Sequence, residues 1–311
     1  MRRRPAAAWQ NPAMPFERIA AFIRGESGDS FDELALRTFR FHYERSAPFR
    51  ALCDERGATP EGVAGWREVP AMPVAALGAT TTDEPAPTDL HRAVIDHSFP
   101  GAFLEAMGRP PALSLIPAAE TGDRRWSLLA DHLLASRTAP DSSLAAKGRT
   151  VEAARARSFL AARQRDRRPT LVLGTSATLV RLLEALDRRG LRFRLPPGSA
   201  AIEAGGRGPD LELLAGLAET LDVRAERVLR VYGAAGLGSH FYGGFRRDGR
   251  PRPLRPPPWT RVRVLDPLTL AEAPHGTEGR LAIFDLAAPG APHVLTGDLA
   301  TADEEGFLIS S

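Results

Sequence analysis

A single cysteine, Cys53, in 311 residues leaves no partner for an internal disulfide and no thiolate set for a cysteine-based metal cluster. That usage agrees with a reducing compartment. Lysine is equally scarce: Lys147 is the sole one among 41 basic residues. No apolar run approaches the ~18 to 20 residues needed to cross a bilayer, and the opening MRRRPAAAWQNPAMP lacks the apolar stretch of a signal peptide. A cytoplasmic protein with no membrane span is expected. The seven histidines are scattered, with His91 and His97 six apart, His240, His275 and His293 further off, and no pair at helical i, i+4 spacing. No metal site built by the protein alone is predicted.

What is present begins with 43% apolar residues, enough for a globular core in a chain of this length. The sequence pI is about 9.6 while the formal net charge is only +3. Arginine reconciles the two numbers, because a guanidinium stays charged far above neutrality. The basic runs from Arg163 to Arg168 and from Arg246 to Arg255 are broken by Asp166 and Asp248, and no aromatic residues interleave them as a basic stripe. No nucleic-acid partner is expected.

Residues 1–15 read as a loose N-terminus. Phe16 to Ile23 has helical spacing, and Ser30 caps a second helix whose first turn carries Asp32 and Glu33 at the positive end of its dipole. Pro48 opens a third helix that closes at Gly57, and Thr59-Pro60-Glu61 predicts a fourth. From Ala112 the pattern changes. Short apolar runs at Leu113 to Ile116, Thr170 to Leu173, Ala200 to Glu203 and Val228 to Tyr232 alternate with helical stretches, which argues for a layered α/β sheet. Beyond Pro251 the helices stop, and Thr260 to Leu265, Arg280 to Asp285 and Val294 to Thr296 read as strands. The predicted organisation is an α/β domain over 16–250, helical at its start, with a small β-rich subdomain over 251–311 packed on it.

Several strings then carry a resemblance. Phe31-Asp32-Glu33-Leu34-Ala35-Leu36, Phe41-His42-Tyr43-Glu44 and Trp66-Arg67-Glu68-Val69-Pro70-Ala71-Met72-Pro73 look like the N-terminal part of the LuxE-type acyl-protein synthetases. Leu171-Val172-Leu173-Gly174-Thr175, Leu191 to Ser199 and Glu203-Ala204-Gly205-Gly206 are similar to that family's central motif. Val231-Tyr232-Gly233 matches the frame of its tyrosine-glycine adenylate motif, and Thr296-Gly297-Asp298-Leu299 the frame of its ribose-binding aspartate. The matches run in the family's order from Phe16 onward. The resemblance implies the layered α/β fold of adenylate-forming enzymes. It further implies that a carboxylic acid, such as a fatty acid, is activated with ATP and Mg²⁺ to an acyl-AMP, and that the acyl group passes to a thiol of a partner protein.

By the same resemblance, Tyr232, Gly233, Gly205, Gly206 and Asp298 are the nucleotide-binding candidates, and Thr80, Thr81 and Thr82 are the remnant of the phosphate loop. Ordinary structural roles stand beside these: an Asx-type turn for Asp298 and a tight turn for Gly205 and Gly206. Beside the threonines, Asp83 and Glu84 would repel phosphate, and Pro85 and Pro87 supply no N–H. The family's Tyr-Gly-Met-Thr-Glu reads Tyr232-Gly233-Ala234-Ala235-Gly236, without the hydroxyl or the magnesium carboxylate. The sequence also stops soon after Asp298, so the mobile C-terminal domain of larger relatives is expected to be missing. Two functions follow: an AMP-forming acyl ligase, or a pseudoenzyme that binds or scaffolds within an acyl-transfer or biosynthetic complex.

Overall fold

The computed structural model describes residues 15–77, 88–105, 107–117, 124–147, 150–205 and 208–310. The N-terminal part is helical because its apolar residues recur at helical spacing. Helix α1 (Phe16–Ile23) buries Phe16, Ile19, Ala20 and Ile23. Helix α2 (Phe31–Arg45) starts at a capping box in which the Ser30 hydroxyl accepts from the Glu33 N–H at 3.2 Å. The Glu33 carboxylate accepts from the Ser30 N–H at 3.0 Å in return, an arrangement that stabilises such a helix by about 1 kcal/mol. Helix α3 (Ala47–Glu55) carries Pro48 in its first turn and buries Cys53.

The helix predicted after Thr59 does not form. Residues 59–62 make a turn, and a single 3-10 turn follows at Trp66–Glu68. Between Pro60 and Gly65 only Val63 is a buried apolar side chain, too little to hold a helix to the core.

Next come β1 (Met72–Pro73), α4 (Thr88–Ser98), α5 (Ala102–Glu105), β2 (Ala112–Ser114), α6 (Arg124–Arg137), β3 (Ser143–Leu144), β4 (Ala146–Lys147) and β5 (Thr150–Val151). The chain continues with α7 (Ala153–Asp166), β6 (Leu171–Thr175), α8 (Ser176–Asp187), β7 (Ala200–Ala204), α9 (Leu211–Leu221), β8 (Val228–Tyr232) and β9 (Phe241–Phe245). It ends with β10 (Pro251–Arg255), β11 (Thr260–Leu265), β12 (Gly279–Asp285), β13 (His293–Ala302) and β14 (Phe307–Ile309).

Among the described residues one large sheet runs β11-β12-β13-β14-β10-β9-β8-β7-β6-β2-β3, with β1 beside β13 and β4-β5 as a separate hairpin. The half from β3 to β8 is parallel, and it turns antiparallel where β8 meets β9. The core strands of the parallel half are buried on both faces, so β6 to β8 are short continuous apolar runs, interrupted by Glu203 and Arg230. Helices α7, α8 and α9 cover one face through Leu160, Leu179, Leu182 and Leu217. Helices α4 and α6 cover the other through Ile95, Leu129 and Leu133. A third cluster joins α1–α3 to β12, β13 and β14 around Phe39, Phe49, Phe284 and Phe307. The strand order reverses between β2 and β6, and ligands of open α/β sheets bind outside the carboxyl ends of strands at such a switch point, the edge on which β6, β7 and β8 also end. No helix among the described residues is long and apolar enough to cross a membrane.

Candidate adenylate site

Each parallel strand hands a short segment to this edge. At the end of β6 the Thr175 hydroxyl accepts from the Thr178 N–H at 3.2 Å and starts α8. Gly174 must be glycine here, because a Cβ would lie 2.8 Å from Leu179 Cγ. Behind β7 the Glu203 carboxylate, 3.3 Å from Arg230 Nε and accepting the Ser176 hydroxyl, forms an ion pair with both partners about 3–4% exposed. It ties β6/α8, β7 and β8 into one rigid edge, and burial holds the Arg230 guanidinium below its usual value.

At the end of β8, Tyr232 is buried and packs against Phe241 and Phe307. Its hydroxyl donates to one carboxylate oxygen of Asp298 at 2.8 Å, a contact between residues 66 apart in sequence. Burial first, and then the charge of Asp298, push the phenol well above its ordinary range, so it stays a donor. Asp298 lies inside β13 and not at a turn between strands. It is half-buried, and none of the described residues donates a side-chain hydrogen bond to its second oxygen.

Gly205 and Gly233 stand at the ends of β7 and β8, and what approaches them closely is a side chain of this protein. One edge of the Trp126 indole runs past both. Nε1 lies 3.0 Å from where a Gly205 Cβ would be, and Cη2 lies 3.3 Å from where a Gly233 Cβ would be. Gly205 also has φ +83°, a conformation that favours glycine. Arg125, next to Trp126 at the start of α6, brings its guanidinium 3.6 Å from the same Gly233 position and 5.4 Å from the indole ring. Its charge acts on both Tyr232 and His240. The His240 ring sits 5.8 Å from that of Trp126, wholly buried, with no hydrogen-bond partner for either nitrogen among the described residues. Burial, followed by His91 and Arg125, lowers it to about 3, so the imidazole is neutral.

The loop after Gly233 is held from behind. Asp285, fully buried, accepts from the N–H groups of Gly238, Ser239 and Ala287 and from the Ser239 hydroxyl at 2.7–2.9 Å, while Trp259 Nε1 donates to the same hydroxyl at 2.9 Å. Within that loop Gly233 and Ala234 are half-buried and Ala235 is exposed, so the segment is not packed shut by the described residues. Gly236, where the resemblance expects the magnesium carboxylate, has φ +83°, and a Cβ there would overlap Leu77. A glutamate at this position would be strained. No cluster of three or more metal-ligating side chains exists among the described residues.

Of the sequence candidates, Tyr232, Gly233, Gly205 and Asp298 come together through Trp126 and the Tyr232–Asp298 bond. Gly206 and the phosphate-loop residues Thr80, Thr81 and Thr82 lie outside the described residues. Cys53 is buried in α3 and Lys147 is exposed in β4. Arg125, Trp126 and His240 were missed by sequence reasoning. The signal available for the first two was an Arg-Arg-Trp string at the start of a helix that follows a strand.

No protein-family model and no curated protein matches this chain. Among solved structures it is similar to 2-hydroxyisobutyryl-CoA ligase. The open conformation of that enzyme, in complex with 2-HIB-AMP and CoA, matches with a TM-score of 0.65 and 15% identity over 99% of this chain and 73% of that one. The postadenylation state in complex with R3-HIB-AMP matches with a TM-score of 0.64 and 15% identity, over 98% and 69%. At that identity the likeness establishes a shared fold alone, a mixed α/β fold.

Proposed function

We propose that this chain is an acyl-protein synthetase-like member of the adenylate-forming fold that binds the AMP part of an acyl adenylate at the carboxyl ends of β7 and β8. The observation that carries the reading is the Asp298 carboxylate, fixed by the Tyr232 hydroxyl at 2.8 Å with its other oxygen left to accept from a ribose hydroxyl. Arg125 supplies positive charge beside Gly233, where a phosphate of the ligand would lie. The acid bound with the nucleotide is a carboxylic acid such as a fatty acid, and the acceptor is a thiol-bearing partner protein, as the family resemblance implies.

The residues present suit AMP better than Mg²⁺-ATP. Gly236 leaves no carboxylate for the metal at that position, and a guanidinium, that of Arg125, stands beside Gly233. That observation favours the second reading, a pseudoenzyme that retains the adenylate pocket and serves as a binding or scaffold subunit.

The test is ATP–pyrophosphate exchange with Mg²⁺ across fatty and aromatic acids, run beside AMP titration of the wild type, Asp298→Ala and Tyr232→Phe. A ligase gives exchange that Asp298→Ala abolishes. A pseudoenzyme gives AMP binding that Asp298→Ala abolishes, without exchange. AMP binding that is absent, or unchanged in Asp298→Ala, refutes the nucleotide site itself.

A further inference from the structure

A groove of about 740 Å³ lies where the α4–α5 turn faces β9 and β10, within the ~300–1,000 Å³ range of small-molecule sites. It runs along β9 from His240, which borders the adenylate candidate, toward Val228 at the amino end of β8. Phe103, Tyr242 and the Pro256–Pro258 segment line it with apolar surface.

Three arginines, Arg246, Arg252 and Arg255, line the same groove, all exposed and none of them in an ion pair among the described residues. Neighbouring guanidiniums are differently placed: Arg250 is held by Asp248 at 2.6 Å and Arg224 by Glu226 at 3.2 Å. Two acids face the groove, Glu226 and Glu305. Glu226 is already paired, which leaves three guanidiniums against one carboxylate. Exposed arginines without ion-pair partners among the described residues, lining one concave surface, are the donor set for an oxyanion. His240 also lines the groove, and its two partnerless ring nitrogens are buried polar groups of a kind that folded proteins rarely leave unsatisfied.

We infer that this groove binds an amphipathic organic anion, with its phosphate or carboxylate head held by Arg246, Arg252 and Arg255 and its apolar body against Phe103, Tyr242 and the proline wall. The groove shares only His240 with the adenylate candidate and does not depend on that reading. Calorimetric titration of the whole protein with decyl phosphate and with decanoate, both below micellar concentrations, tests it. Inorganic phosphate and decanol serve as the two halves of the ligand. Saturable one-to-one binding of at least one amphiphile, tighter than either half, is expected. The Arg252→Gln/Arg255→Gln variant weakens it about tenfold or more, while Arg157→Gln, an exposed arginine on α7, leaves it unchanged. Preference for decyl phosphate assigns the head to a phosphate monoester, and preference for decanoate assigns it to a carboxylate. No saturable binding by either, or binding of equal strength in the double variant with its fold intact by circular dichroism, overturns the inference.

Discussion

Acidifying this protein from about pH 7 to about pH 5.5 sets three buried imidazoles against the folded state. His42, His240 and His293 are 2%, 0% and 1% exposed. Burial leads the causes in each, lowering them to about 4, about 3 and about 4. An unfolded histidine titrates near ~6.5. The folded value lies below the unfolded one, so the unfolded chain binds more protons throughout the interval between them. The stability held by the neutral rings is complete above about pH 6.5 and is lost as the pH falls toward the folded values. For one such group the loss between about pH 7 and about pH 5.5 is about 1.3 kcal/mol, and for three about 4 kcal/mol. That is a large share of the roughly 5–15 kcal/mol by which domains are stable. Asp285 acts with the opposite sign, because burial raises its carboxyl and protonation on acidification favours the folded state. Comparison of wild type with His240→Phe removes that contribution. Urea unfolding at the two pH values should show the wild-type midpoint falling, and the variant losing about a third less stability than the wild type. Equal stability at both values, or an undiminished loss in His240→Phe, would refute the reasoning.

Three further outcomes are expected. Glu203→Ala leaves Arg230 charged and buried without its carboxylate, which should cost about 3–5 kcal/mol in urea unfolding, whereas a loss under about 1 kcal/mol would mean that the edge of β7 and β8 does not rely on the pair. Gly238→Ala places a methyl group onto the Ala287 carbonyl, so a drop of about 3 kcal/mol or more, read as a lower melting temperature, is predicted, and an unchanged melt would contradict the packing of this loop. Cys53 is wholly buried and its thiol is pushed up to about 12, chiefly by burial, so Ellman's reagent should titrate it only after denaturation; rapid reaction of the native protein would show that α3 is open.

Local elements were legible because their causes are local. The Ser30 and Glu33 capping box, the apolar spacing of α1 and the continuous apolar runs of β6 and β8 lie within a few residues and read directly. The turn after Thr59 misled because its cap and proline were genuine helix signals, while the core contact that a short helix needs was absent. A Gly-flanked aspartate such as Asp298 likewise reads as a turn by composition, yet it lies within β13, at the bulge where residues 296–298 face Leu281 and the register with β12 shifts.

The alternation of helix and strand, the chemistry available at each motif and the missing carboxylate at Gly236 are properties of residue type and spacing and are readable from them alone. Tertiary structure alone brings Tyr232 to Asp298 across 66 residues, places Trp126 in the room left by the two motif glycines, and sets Arg246, Arg252 and Arg255 in one groove without ion-pair partners among the described residues. Those facts depend on strand order and register, which bring together side chains whose separation along the chain carries no trace of their distance in space.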